Sequence, residues 1–173
     1  LTTVVFPAHI EEISEYAFYD CDNLTTIENF HSISNIGTFA FCSCENLKSP
    51  IKLKHVKTIG SYAFQDCAIL SLVIPETIME FGYRAFQSDG LKEVTIKRRI
   101  PLDLNVSDKV FSYVDVLYVP YGTYSEYVNR GYRSRFKNIK YLTPDIGDSF
   151  PMSIPLDNDS IVFDVTISSS SEA

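Results

Sequence analysis

Apolar and polar positions along the chain return to the same pattern about every 22–23 residues, the mark of a repeat array. An aliphatic residue opens each period, at Leu1, Leu24, Leu47, Ile69 and Leu91. A second aliphatic column stands nine positions on, at Ile10, Ile33, Val56, Ile78 and Ile100, and a third at Ile13, Ile36, Ile59 and Phe81. An Ala-Phe pair then follows, with its ring at Phe18, Phe41, Phe64 and Phe86. Chance does not hold that many columns in register, so the chain reads as an array of stacked coils. A coil this short cannot bury its own faces, and neighbouring coils bury one another.

Each column has a physical task. Leu1, Val4, Phe6 and Pro7 are echoed by Ile69, Leu72, Ile74 and Pro75. Val4-x-Phe6 and Leu72-x-Ile74 alternate as short strands, and Pro ends the ladder because it has no N–H. Gly37, Gly60 and Gly82 follow the third aliphatic column, where a coil corner needs either a positive φ or a close backbone approach. Ser14 fills that slot in the first period, so the corner does not demand Gly everywhere. Ala then Phe supplies one small and one large inward residue. Pro50 is expected to disturb the strand of the third repeat, and residues 101–110 to stretch the fifth coil before Phe111.

The pattern L-x-x-V-x-F-P-x-x-I-x-x-I-G-x-x-A-F-x-x-C-x-x-L resembles the BspA-like subclass of bacterial leucine-rich repeats. The likeness runs from residue 1 to about residue 100. The segment LYVPYGTYSEYVNRGYRSRFKNIKYL, Leu117 to Leu142, is similar to the closing unit of such proteins, a V-P-x-G-T turn followed by a Tyr-bearing short helix. The expected fold is a β-rich solenoid of leucine-rich repeats with short strands and a C-terminal capping unit. The array of about five coils is placed at 1–116, the cap at 117–142 and an acidic extended tail at 143–173. In that tail SIVFDVTI, Ser160 to Ile167, alternates as one strand, and Asp157 and Asp159 read as solvated carboxylates rather than calcium ligands.

Composition agrees with strands and aromatic packing: 11 Tyr and 12 Phe stand beside no Trp. No run of about 18 apolar residues is present, so no membrane span is expected. The net charge of −7 is segregated. Residues 1–90 carry −6, residues 91–142 carry +5 and residues 143–173 carry −6. The array begins at Leu1 in mid-pattern, which suggests either missing upstream coils or self-association through an uncapped N-terminal edge.

Four groups of residues invite a chemical reading. Cys21, Cys44 and Cys67 recur once per coil, with Cys42 beside them. A buried ladder of small thiols accounts for them better than a disulfide or thiolate metal site, because in-register neighbours are poorly aimed and no C-x-x-C occurs. His9, His31 and His55 fall on a solvent-facing edge rather than around an ion. Tyr16, Phe39 and Tyr62 form an aromatic file ended by Arg84, which is either a stacking surface for a ligand or a cover for the corner with Arg84 over the last ring.

The fourth group is basic. Lys97, Arg98 and Arg99 follow the fifth strand, and Arg130, Arg133, Arg135, Lys137 and Lys140 crowd the cap among tyrosines. Tyr with Arg is the composition of a binding hot spot, and positive charge favours an acidic partner. Lys97, Arg98, Arg99, Arg130, Arg133, Arg135, Lys137, Tyr124, Tyr127 and Tyr132 are therefore the candidate ligand-binding residues. A solvated cap face is the competing reading. Nucleic acid is not expected at this net charge.

No Gly-rich phosphate loop, H-E-x-x-H or G-x-S-x-G occurs, so no enzyme, catalytic residue, metal or cofactor is expected. The resemblance implies an exported bacterial protein, extracellular or at the cell surface, that binds or adheres to a host or cell-surface protein or glycan. Binding would use the basic cap or strand-face residues such as Thr2, Thr3, Thr25, Thr26, Glu28, Lys92, Glu93 and Thr95. The rival is a structural spacer or scaffold with no ligand of its own.

Overall fold

In the computed structural model, residues 1–48, 51–102 and 109–142 are described, and each coil presents three sides. The first side is built by β1 (Thr3–Val5), β3 (Thr26–Glu28), β6 (Ser71–Ile74), β8 (Glu93–Ile96), β9 (Val114–Val119) and β10 (Phe136–Tyr141). The second carries four short strands: β2 (Glu12–Ile13), β4 (Asn35–Ile36), β5 (Thr58–Ile59) and β7 (Glu80–Phe81). All pairings are parallel and step by one coil, as in Ile13↔Ile36↔Ile59↔Phe81. The array is a β-solenoid of about six turns with a short helix, α1 (Tyr124–Asn129). It exceeds the five coils counted from the columns because β9 adds a further first-side strand beyond β8, with β10 of the cap pairing on to it in the order β6-β8-β9-β10. Among the described residues no strand of that side lies between β3 and β6. Pro50, most of the fifth-coil stretch and the tail with its Ser160–Ile167 strand and Asp157/Asp159 lie outside the described residues.

Among the described residues the third side has no regular strand, yet its backbone bonds from coil to coil. The N–H groups of Tyr16, Phe18 and Asp20 donate to the carbonyls of Thr38, Ala40 and Cys42 in the next coil at 3.0, 2.8 and 2.9 Å. The intervening Ala17 and Tyr19 amides close local turns on Ser14 and Tyr16. Every amide from 16 to 20 therefore has a partner, as a packed corner requires. This zigzag drives Tyr16, Phe39, Tyr62 and Arg84 into the left-handed region, at φ of 55–60°. Lys109 continues the column at φ 43°. Such a conformation costs a non-Gly residue on the order of 1 kcal/mol, which inter-coil bonds and ring stacking offset.

The corner glycines have the other of the two expected causes. Their φ values are ordinary; what they allow is contact between coils. A Cβ on Gly37, Gly60 or Gly82 would stand 2.6, 2.6 or 2.2 Å from a backbone nitrogen of the preceding coil. Ser14, in the same slot of the first coil, keeps its side chain exposed.

Inside, Phe18, Phe41, Phe64 and Phe86 stack at 5.1 Å per step, and Phe111 follows at 5.9 Å, after a longer interval of sequence. The cysteines stand free beside this column, so no disulfide joins them. Cys44 and Cys67 donate through sulfur to the carbonyls of Phe18 and Phe41, each at 3.1 Å, which explains a thiol in this column rather than a methyl.

Contact with the Cys44 sulfur, together with burial, holds the Cys67 thiol well above the ordinary value of 9.0, while the same contact lowers Cys44. Burial also raises Cys21 and Cys42. A raised folded-state value means stability that is whole below the unfolded pKa and lost as pH rises beyond it. Cys44 acts in the opposite direction, but its partner Cys67 carries the larger shift. The unfolding temperature in reductant is therefore expected to fall as pH climbs above about 9. The slope should be shallower in Cys67→Ala; an equal slope in both proteins would reject the assignment.

Candidate functional site

The cap grows from three local decisions. Pro120 ends β9, and Gly122, at φ 77°, takes the left-handed place in a turn. That turn is closed by the Thr123 N–H, which donates to the Pro120 carbonyl at 3.2 Å, as a β-turn of this kind requires. The Thr123 hydroxyl donates to the same carbonyl at 2.7 Å. α1 then runs until Gly131, at φ 81°, stops it as a left-handed residue after the C-cap. A 3-10 turn (Tyr132–Ser134) delivers the chain to β10.

This geometry divides the candidate residues. Tyr127 is 0% exposed and Tyr132 1%, and neither is available to a ligand. They meet edge to face at 4.9 Å and anchor the cap from within. The Tyr127 hydroxyl donates to the Arg98 carbonyl at 2.5 Å, and that of Tyr132 to the Leu102 carbonyl at 3.0 Å. Burial pushes the Tyr127 phenol well above its usual range. Arg98 is a clamp rather than a contact residue, since its guanidinium donates to the carbonyls of Glu76 and Ile78 at 2.9 and 2.7 Å. Lys97, Arg99 and Arg130 are exposed, and Arg135 is half-buried.

Tyr124, Arg133 and Lys137 are brought together. They line one groove of about 370 Å³ with Tyr113 and Asn138, two residues that the Tyr/Arg cluster did not point to. Arg133 lies over the Tyr124 ring, 5.7 Å from its centroid, and donates to the Tyr124 hydroxyl.

The first-side sheet ends on the same unit. Its register sets Ser71, Glu93, Val116 and Asn138 side by side in one outward row, and Val73, Thr95, Tyr118 and Lys140 in a second. None of these eight is buried, and Val73 is 47% exposed. The inward set between them, Leu72, Val94, Leu117 and Ile139, packs into or against the core. Repeat face and cap are therefore one continuous surface, not alternatives.

The aromatic file on the third side is a cover. Tyr16–Phe39 and Phe39–Tyr62 stack at 5.0 and 4.6 Å with planes within 13°, so Phe39 has a ring on both faces, while Tyr16 ends the file 55% exposed with one face on Phe39. Arg84 does not cap Tyr62; it lies 5.0 Å over Tyr83, which meets Tyr62 edge-on. The three histidines are exposed. Among the described residues no three His, Cys, Asp or Glu side chains gather to hold a metal ion, and no helix is long and apolar enough to cross a membrane.

Comparison with known proteins matches residues 1–118, in six copies, to the family described as BspA type Leucine rich repeat region. No curated protein matches the chain. A crystal structure of a leucine-rich repeat protein from Bacteroides ovatus is similar at a TM-score of 0.52 and 26% identity, over 69% of this chain and 34% of that one. The pneumococcal vaccine antigen PcpA is similar at a TM-score of 0.58 and 19% identity, over 83% of this chain and 42% of that one, a likeness of fold alone. The chain thus spans less than half the length of either.

Proposed function

The chain belongs to the BspA type of leucine-rich repeat proteins, and from that premise we propose that it is a non-enzymatic binding module at the bacterial cell surface. It recognises an extracellular protein or glycan through the first-side sheet and the cap that closes it. The observation that carries this reading is the pair of outward rows across β6, β8, β9 and β10. Val116 and Tyr118 stand on the interior strand β9, with Glu93 and Thr95 beside them on β8, Asn138 and Lys140 on β10, and Val73 exposed on the edge strand β6; apolar and aromatic anchors among polar and charged neighbours are what interfaces use. The fold needs none of these side chains, because the core is filled by the inward set.

A spacer is the competing reading, and the outward pairing of Thr3 with Thr26 in the first two coils favours it, since small polar side chains recognise little. One assay separates the two. The chain is screened against immobilised extracellular-matrix proteins beside a Tyr118→Glu/Lys140→Glu variant of unchanged thermal stability. Binding in physiological salt that weakens at least about tenfold in the variant, or about 1.4 kcal/mol, supports recognition. No binding by either protein leaves the spacer.

A further inference from the structure

The groove on the cap has features that neither the fold nor the sheet rows explain. It opens where the residue before β9, helix α1 and the first half of β10 meet. Two cations, Arg133 and Lys137, line it, and among the described residues no carboxylate does. Tyr113 is 63% exposed and makes no ring contact among the described residues, whereas Tyr121 and Tyr124 each pack on Tyr141. A large ring kept in water at the mouth of a cationic groove contributes little to folding. The Arg133 guanidinium is held in place by the Tyr124 ring and hydroxyl, which lowers the ordering cost of using it. The Asn138 side-chain amide is fixed by a 3.3 Å bond to the Asp115 carbonyl.

We propose that this groove binds an acidic saccharide, with a uronate carboxylate on Lys137 and Arg133 and a sugar face on the ring of Tyr113. The chemistry of each part fits. A carboxylate gains charge-assisted hydrogen bonds from two cations, one of them already held in place. The polarised C–H groups on one face of a pyranose suit the electron-rich face of an aromatic ring. Asn138 adds a polar group to the lining that can bond a sugar hydroxyl. The groove is half open rather than an enclosed pocket, which suits a sugar ring laid on its surface. An acidic peptide would meet the same two cations; the exposed ring of Tyr113 beside them is what favours a sugar face. The proposal rests on the reading of the chain as a binding module and names what its cap end recognises.

The test is titration of the whole chain, followed by amide chemical shifts, with a glucuronate-containing disaccharide and a neutral disaccharide of the same linkage. The expected result is binding of the acidic sugar with shifts centred on Tyr113, Tyr124 and Lys137, and affinity for the neutral one at least about tenfold lower. Lys137→Gln and Arg133→Gln should each cost about tenfold, and Tyr113→Ala several-fold, all with unchanged thermal stability. Four results would overturn it: no shifts at millimolar sugar, equal affinity for the neutral sugar, binding retained by the Lys137→Gln/Arg133→Gln double variant, or tighter binding of an aspartate-rich peptide. Tyr118 and Lys140 lie outside the groove lining, so the matrix-protein screen with Tyr118→Glu/Lys140→Glu tests the sheet rows separately. A groove that fails while that screen succeeds removes only the saccharide; failure of both removes the binding module as well.

Discussion

Gly60→Ala is expected to destabilise the solenoid by about 3 kcal/mol and to lower its unfolding temperature by roughly 6–12 °C. The added methyl would sit 2.6 Å from the Thr38 nitrogen and 2.7 Å from the Gly37 carbonyl carbon. Both are main-chain atoms of a coil tied to its neighbour by hydrogen bonds, including Gly60 N–H to the Ile36 carbonyl at 2.8 Å. No rotamer can relieve such a contact. The coils must part, and parting them loosens the Phe41–Phe64 stack. Gly82→Ala should be worse, because its methyl would approach the Ser61 nitrogen to 2.2 Å. Ser14→Gly is the contrast, since that side chain is exposed, and should change stability by less than about 1 kcal/mol. Denaturant unfolding of the three variants checks the ordering. A Gly60→Ala protein as stable as the parent would mean that coil spacing is not what these glycines serve.

The same corner shows what a sequence can and cannot announce. Columns such as Ile13, Ile36 and Ile59 are legible because every coil repeats the inward residue, so burial is stated several times over. The glycines are legible as a corner, with two causes open. What is not legible is that the left-handed positions lie two places later, at Tyr16, Phe39, Tyr62 and Arg84. Aromatic residues and Arg are poor choices for that conformation, and the bonds that impose it run to another coil, a whole period away. The sixth turn is hidden for a related reason. The interval from Phe86 to Phe111 exceeds the period of the earlier columns, so they fall out of step, and β9 stands out as a repeat strand through its pairing with β8 and the six-copy family match that runs to residue 118.

At the cap, composition finds the right neighbourhood and misassigns some of its members. Tyr124, Arg133 and Lys137 do converge on a groove, while Tyr127 and Tyr132, identical in type to Tyr124 and close to it in the chain, point inward. A helix of six residues is too short for periodicity to tell its buried face from its exposed one. Arg98 reads as a ligand cation because charge is visible in sequence, whereas the carbonyls it satisfies are not. The outward rows are half visible. Glu93 and Thr95 can be named from strand alternation, but their neighbours Tyr118 and Lys140 depend on a register that only the pairing of β8, β9 and β10 reveals.

Tyr127 turns that distinction into an experiment. Tyr127→Ala is expected to cost about 3–5 kcal/mol, the usual range for emptying a fully buried aromatic site. Against the roughly 5–15 kcal/mol that holds an ordinary domain together, that is enough to loosen the cap and open the end of the core at Phe111 and Phe136 to solvent. Dye binding to exposed apolar surface, or aggregation on mild heating, would report it. Tyr127→Phe keeps the ring and its contact with Tyr132 but leaves the Arg98 carbonyl without its 2.5 Å donor, a loss of about 1–2 kcal/mol. The two functions of the cap then separate cleanly. A structural anchor predicts that Tyr127→Phe melts several degrees lower while its affinity for the acidic disaccharide is unchanged below the transition. A ligand contact predicts the reverse, an unchanged melting temperature with weakened binding, and that pattern would return Tyr127 to the recognition surface.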